Sequence, residues 1–141
     1  MKIIVGVDGS ESSSRAVEWC AAHGTALGGE VVAVHSVDWP VYAASGFGVA
    51  AVPLSNMPDH DAIDAVMKNE WCAPLTKAGV PFRTVVVDGS PAGSIISLAQ
   101  HEQADLVVTG RRGLGGFKEL LLGSTSHELS HHVDCPLVIV P

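Results

Sequence analysis

Five short runs rich in Val and Ile recur along the chain: "KIIVGV" (2–7), "EVVAVHSV" (30–37), "FRTVVVD" (82–88), "ADLVVTG" (104–110) and "PLVIVP" (136–141). Three are almost continuously apolar, the pattern of strands covered on both faces, as in a parallel sheet. The segments between them are long enough for helices. "SESSSRAVEWCAAHGTAL" places Ala16, Trp19, Cys20 and His23 at helical spacing, with Ser10 or Ser12 as N-cap. "DHDAIDAVMKNEWCAPLTKAG" aligns Ile63, Val66, Met67 and Trp71, with Gly79 as a stop and Pro74 as a kink or interruption. Ser90 followed by Pro91 opens a third helix. Thr125, three residues before Glu128, has capping-box spacing for a fourth. Strand and helix alternate throughout, which predicts an α/β fold with a parallel sheet and right-handed crossovers. With no repeat and no linker, residues 1–141 read as a single domain.

Residues 38 to 57, "DWPVYAASGFGVAAVPLSNM", break this rhythm. A connection of this length is either an idle insertion or a lid or contact surface.

In an open parallel sheet, ligands bind beyond the carboxyl ends of the strands, where strand order reverses. The first strand runs into Asp8 and Gly9, and the fourth into "GRRGLGGFKELLLGST" (110–125). If these strands are neighbours, both loops face one crevice. Gly110, Gly113, Gly115 and Gly116 then permit positive φ and a close approach of phosphate oxygens to backbone N–H groups. Gly123, Ser124 and Thr125 lead into a helix N-terminus that favours anions. The competing reading makes the glycines a plain turn and Thr125 a plain cap. The loop lacks the Gly-Lys-Ser/Thr ending of a P-loop, and Arg111, Arg112 and Lys118 are its cations. Each is a phosphate partner or a solvated charge. Asp8 is a turn residue or an acceptor for a ligand hydroxyl or a metal.

Other chemistry is thin. His131 and His132 before Cys135 invite a metal reading, but a helical His pair near a C-terminus more often serves the helix dipole. Asp59, His60, Asp61 and Asp64 read as an acidic helix start. Cys20, Cys72 and Cys135 are scattered, as expected for reduced thiols in a cytoplasmic protein. The formal net charge of −7 argues against nucleic acid or an anionic membrane as partner. An apolar fraction of 47 % with 16 % charged residues fits a globular chain, and no run is long enough to span a bilayer.

"MKIIVGVDGSESSSRAVEWC", "GSPAGSIISLAQHEQADLVV" and the C-terminal "ADLVVTGRRGLGGFKELLLGSTSHELSHHVDCPLVIVP" together resemble the universal stress protein family over essentially the whole chain. The ATP-binding branch of that family is similar in its signature G-x2-G-x9-G-[ST], here Gly110, Gly113, Gly123 and Ser124. The resemblance implies a Rossmann-like, adenine nucleotide alpha hydrolase-like fold with sheet order 3-2-1-4-5, and ATP in the crevice with Mg²⁺ or Mn²⁺. Asp8 then matches the residue at the adenosine end. Gly110 and Gly113 lie beside ribose and phosphates, and Gly123, Ser124 and Thr125 form the phosphate turn. Ser36 stands where an apolar side chain usually packs on adenine. Arg111 replaces a small residue, so it either adds a phosphate contact or crowds the pocket. Homodimers pair their last strands, here "CPLVIVP". The expected function is a nucleotide-dependent regulatory module, because no base stands clearly beside the loop. The alternatives are a slow ATPase or phosphotransferase using Arg111 or Arg112, and a dimeric interaction protein with an empty site or another adenine nucleotide.

Overall fold

The computed structural model describes residues 1–38, 58–114 and 121–141. The elements are β1 (Lys2–Gly6), α1 (Glu11–His23), β2 (Glu30–Val37), α2 (His60–Val66), a π-helical turn (Met67–Trp71), α3 (Ala73–Ala78), β3 (Phe82–Asp88), α4 (Pro91–His101), β4 (Leu106–Gly110), α5 (Ser124–His132) and β5 (Leu137–Val140). The strands form one parallel sheet in the order β3-β2-β1-β4-β5. Most of the 38–57 segment, and Gly115, Gly116 and Lys118 of the glycine-rich loop, lie outside the described residues.

The apolar runs bury both faces, as their continuity predicts. Ile3, Val5, Val31, Ala33 and Val108 pack against Val17 and Cys20 of α1 and against Met67, Cys72 and Leu75. Their sequence neighbours Ile4, Val32, Val34 and Val107 point to the other face, against Ala92 and Ile95 of α4 and Leu129 of α5. Fully burying an aliphatic side chain is worth about 1.5–3 kcal/mol, so two such layers hold the sheet rigid beneath its loops. Burial also pushes the Cys20 thiol up to about 12 and the Cys72 thiol to about 11. Both behave as small apolar residues rather than nucleophiles.

Several local expectations hold. Ser10 caps α1 by accepting from the Ser13 N–H, Ser90 caps α4 with Pro91 in its first turn, and Gly79 ends α3 at φ 67°. Others are corrected. His23 is exposed and stacks on Trp19 at 4.4 Å, and Val17 takes the buried position instead. The second helical segment is interrupted ahead of Pro74: the Cys72 N–H donates to the Met67 carbonyl at 2.8 Å, closing the π turn. Pro74 then sits in the first turn of α3, where its missing N–H costs nothing. Asp59 does cap α2, but Asp64 accepts from Thr84 of β3 and Lys68 instead of serving the helix start.

The capping box at Thr125 does not form. Helix α5 begins two residues earlier than a Thr125 cap requires, at Ser124, with Gly123 as an N-cap that makes no side-chain bond. Ser126 Oγ instead donates to the Gly123 and Arg111 carbonyls, at 3.1 and 2.8 Å. No described helix is long and apolar enough to cross a membrane.

Candidate functional site

A cleft of about 870 Å³ opens beyond the carboxyl ends of β1, β2 and β4. Its position follows from the sheet order: from β1 the chain winds towards β2 and β3 on one side, and β4 and β5 lie on the other. The loops after β1 and β4 therefore diverge and leave a crevice between them.

Asp8 ties the two loops together. One carboxylate oxygen accepts the Ser10 N–H at 3.0 Å, and the other accepts the Leu114 N–H at 3.2 Å across the crevice. Gly9 follows at φ 77°, and a Cβ there would lie 2.7 Å from the Trp71 ring. The β4 loop is anchored from beneath. The Arg111 N–H donates to the Val140 carbonyl, the Arg112 N–H to Ser12 Oγ, and the Gly123 N–H to the Arg111 carbonyl.

The described loop glycines work differently from the sequence expectation. None of Gly110, Gly113 and Gly123 has positive φ. A Cβ on Gly110 would lie 2.5 Å from the Ser12 carbonyl oxygen, and one on Gly113 2.6 Å from Asp8 Oδ2. One on Gly123 would lie 3.2 Å from Arg112 Cα. Their smallness lets the two ends of the loop close on each other and on α1.

Asp8, Ser36, Gly110, Gly113, Gly123, Ser124 and Thr125 all line the cleft. Arg111 does not. Its backbone is committed to β5 and Gly123, and Arg112 is the one Arg or Lys among the described lining residues. Ser36 Oγ donates to the Gly89 carbonyl at 2.6 Å and lies 2.9 Å from Ser94 Oγ. Its hydroxyl is thus satisfied by the loop after β3. The Ser124, Thr125 and Ser126 N–H groups at the start of α5, and the Ser124 and Thr125 hydroxyls, have no hydrogen-bond partner among the described residues. These donors lie at the positive end of the helix dipole and face the cleft.

Sequence reasoning missed the apolar wall formed by Val34, Val37, Pro91, Ile95 and Leu122, together with His35. His35 Nδ1 pairs with the Val7 carbonyl at 2.8 Å, and its ring meets Trp71 edge-on at 5.3 Å. The polar end of β2, beside that of β1, was the available signal. The cleft therefore pairs an apolar half with a half rich in N–H and hydroxyl donors, which suits a flat ring joined to an anion. Among the described residues, no group of three or more His, Cys, Asp or Glu is placed to hold a metal ion.

A model of the universal stress protein family matches residues 1–141. The chain is similar to universal stress protein YxiE of Bacillus subtilis, 32% identical over 147 residues, covering 99% of this chain and 97% of that protein. Among solved structures it resembles hypothetical protein MJ0577, the subject of a structure-based assignment of biochemical function. That likeness has a TM-score of 0.80 and 27% identity, covering 99% of this chain and 94% of the other. The universal stress protein from Archaeoglobus fulgidus, solved in complex with dAMP, shares the fold at a TM-score of 0.68 and 20% identity, covering 100% and 98% of the two chains. Sheet order, crevice and a family match along its full length agree: the chain belongs to the universal stress protein family.

Proposed function

We propose that the cleft binds an adenine nucleotide, ATP, and that occupancy rather than turnover is its output, as in a nucleotide-dependent regulatory module. The carrying observation is the set of N–H and hydroxyl donors at Ser124 and Thr125 that have no partner among the described residues and line the same cleft as the apolar wall. A phosphate chain supplies acceptors to those donors, and the purine lies against Val34, Val37 and Ile95. Asp8, held beside Gly113 and Leu114, serves the ribose. The dAMP complex of the Archaeoglobus fulgidus protein, which has the same fold, supports an adenine nucleotide.

A metal cage made by the protein alone does not fit the described residues. Mg²⁺ or Mn²⁺ would arrive on the phosphates, which suits an ion that keeps most of its waters, and the Ser124 or Thr125 hydroxyl would add one oxygen. Bound there, the ion would neutralise phosphate charge. The second reading, slow phosphoryl transfer, rests on Arg112, the one Arg or Lys among the described lining residues. A transition-state cation alone is insufficient without a group that positions the nucleophile, so retention is favoured.

Among the described residues β5 has a strand neighbour on one side only, and its residues Leu137–Val140 are half-buried. Pairing of that edge with a second copy is the proposed dimer contact.

Denaturing the purified protein and separating the released small molecules by chromatography tests the nucleotide reading. Retained ATP is the expected result. If neither the released fraction nor calorimetry with added ATP shows binding, the reading fails.

A further inference from the structure

The pairing considered from the sequence, His131 and His132 with Cys135, skips His127. Residues 127 to 131 read His-Glu-Leu-Ser-His, the H-E-x-x-H spacing that sets two imidazoles one turn apart on a helix. We propose that His127 and His131 form a two-histidine site for a divalent transition-metal ion of the zinc, nickel or copper class on the exposed side of α5.

The geometry is already close to a chelate. Both residues are exposed, their ring centroids are 4.8 Å apart, and the planes meet at 73°. An ion about 2.0–2.1 Å from one nitrogen of each ring would leave the centroids roughly 4.5–5 Å apart. The helix beneath is held in place by Leu129 and Ser126, both buried, and by the His127 N–H donating to the Gly123 carbonyl. The pair is therefore presented by a fixed backbone, with little left to order except two side chains. Imidazole is the donor these ions prefer over Mg²⁺ or Ca²⁺. His132 stands apart, 6.3 Å from His131 between centroids.

In metalloproteases the glutamate of this spacing acts as a base on a metal held by further protein ligands. Here no third His, Cys, Asp or Glu among the described residues is placed to complete such a set. Water fills the remaining positions, and the site binds metal without a hydrolytic step.

Calorimetric titration of the full chain, freed of metal, with ZnCl₂, NiCl₂ or CuCl₂ in a non-coordinating buffer tests this. One ion per chain is expected. Losing even an outer partner of a metal site costs roughly 10- to 100-fold in affinity, so His127→Gln and His131→Gln should each weaken binding by at least about tenfold. His132→Gln and Cys135→Ser should stay within about twofold of the parent on the same scale. Circular dichroism checks that each variant keeps its helix content. As a second readout, added metal should raise the Tm of the parent and not that of His131→Gln. Absence of binding, unchanged affinity in the His127 and His131 variants, or a loss confined to His132→Gln or Cys135→Ser would overturn the site. The chain is also stripped of bound nucleotide before the titration, so the outcome is independent of the cleft.

Discussion

The two ends of the sheet are both polar, and they handle their polar groups in opposite ways. At the amino ends of the strands, the groups satisfy one another. Glu102 accepts from Lys2 Nζ and from the Arg83 guanidinium, both at 2.8 Å, and Asp105 accepts the Lys2 N–H at 2.6 Å. At the carboxyl ends, backbone donors and hydroxyls at Ser124 and Thr125 have no partner among the described residues, beside an apolar wall. A closed network stabilises the fold, whereas an open row of donors costs stability and is kept for a ligand. Polar satisfaction, more than polarity, separates the scaffold end from the binding end.

The sharpest way to break this division is at Gly110, which belongs to both roles. Gly110→Val would drive a side chain into the Ser12 backbone, which has no room to yield. A loss of about 3 kcal/mol in chemical denaturation is expected, together with loss of nucleotide binding. Next in size, Gly113→Ala should separate the roles. Its Cβ meets the Asp8 carboxylate, a side chain that can move, at the cost of the Leu114 link. Calorimetry should show about a tenfold weaker ATP affinity, equal to about 1.4 kcal/mol. Denaturation should show a smaller change than that.

Smaller again are Ser124→Ala and Thr125→Ala. Each removes one hydroxyl that makes no bond within the described protein, so stability should stay within about 0.5 kcal/mol. Binding should weaken by about 0.5–1.5 kcal/mol per variant. A stability loss without an affinity loss would put these hydroxyls on the scaffold side of the comparison.

The smallest effect belongs to the closed end. Hydrogen bonds from Lys2 and then Arg83 hold the Glu102 carboxyl down to about 2. A carboxyl with a depressed folded pKa stabilises fully above its unfolded value, near 4.5, and loses that contribution as pH falls through about 2. The Tm difference between the parent and Glu102→Gln should therefore be present at pH 6 and shrink steadily below pH 4.5. Lys2 and Arg83 are 33% and 41% exposed, so water and salt screen the network, and the difference should also shrink in high salt.

Much of this was legible beforehand, because local pattern carries it. Continuous apolar runs signal strands buried on both faces, and Ser90-Pro91 signals a helix start, without reference to anything distant. The spacing of Gly110, Gly113, Gly123 and Ser124 marks the loop through its resemblance to the universal stress protein signature. The failures share a different cause. Thr125 looked like a cap, yet the helix starts at Ser124, because Arg111 and Gly123 close the loop ahead of it. Arg111 read as a phosphate partner or a solvated charge, and among the described residues Arg112 lines the cleft in its place.

The amino-acid sequence alone determined the alternation of strand and helix, the double-sided burial of the sheet and the position of the glycine-rich loop after the fourth strand. These depend on residues within a few positions of one another. Only the tertiary structure decided which described Arg or Lys lines the cleft, and that Gly110, Gly113 and Gly123 serve close packing rather than left-handed backbone. It also decided which donors stay unpaired. Those outcomes turn on contacts such as Asp8 with Leu114 and Ser12 with Gly110, some hundred residues apart in the chain. The sheet order alone brings them together.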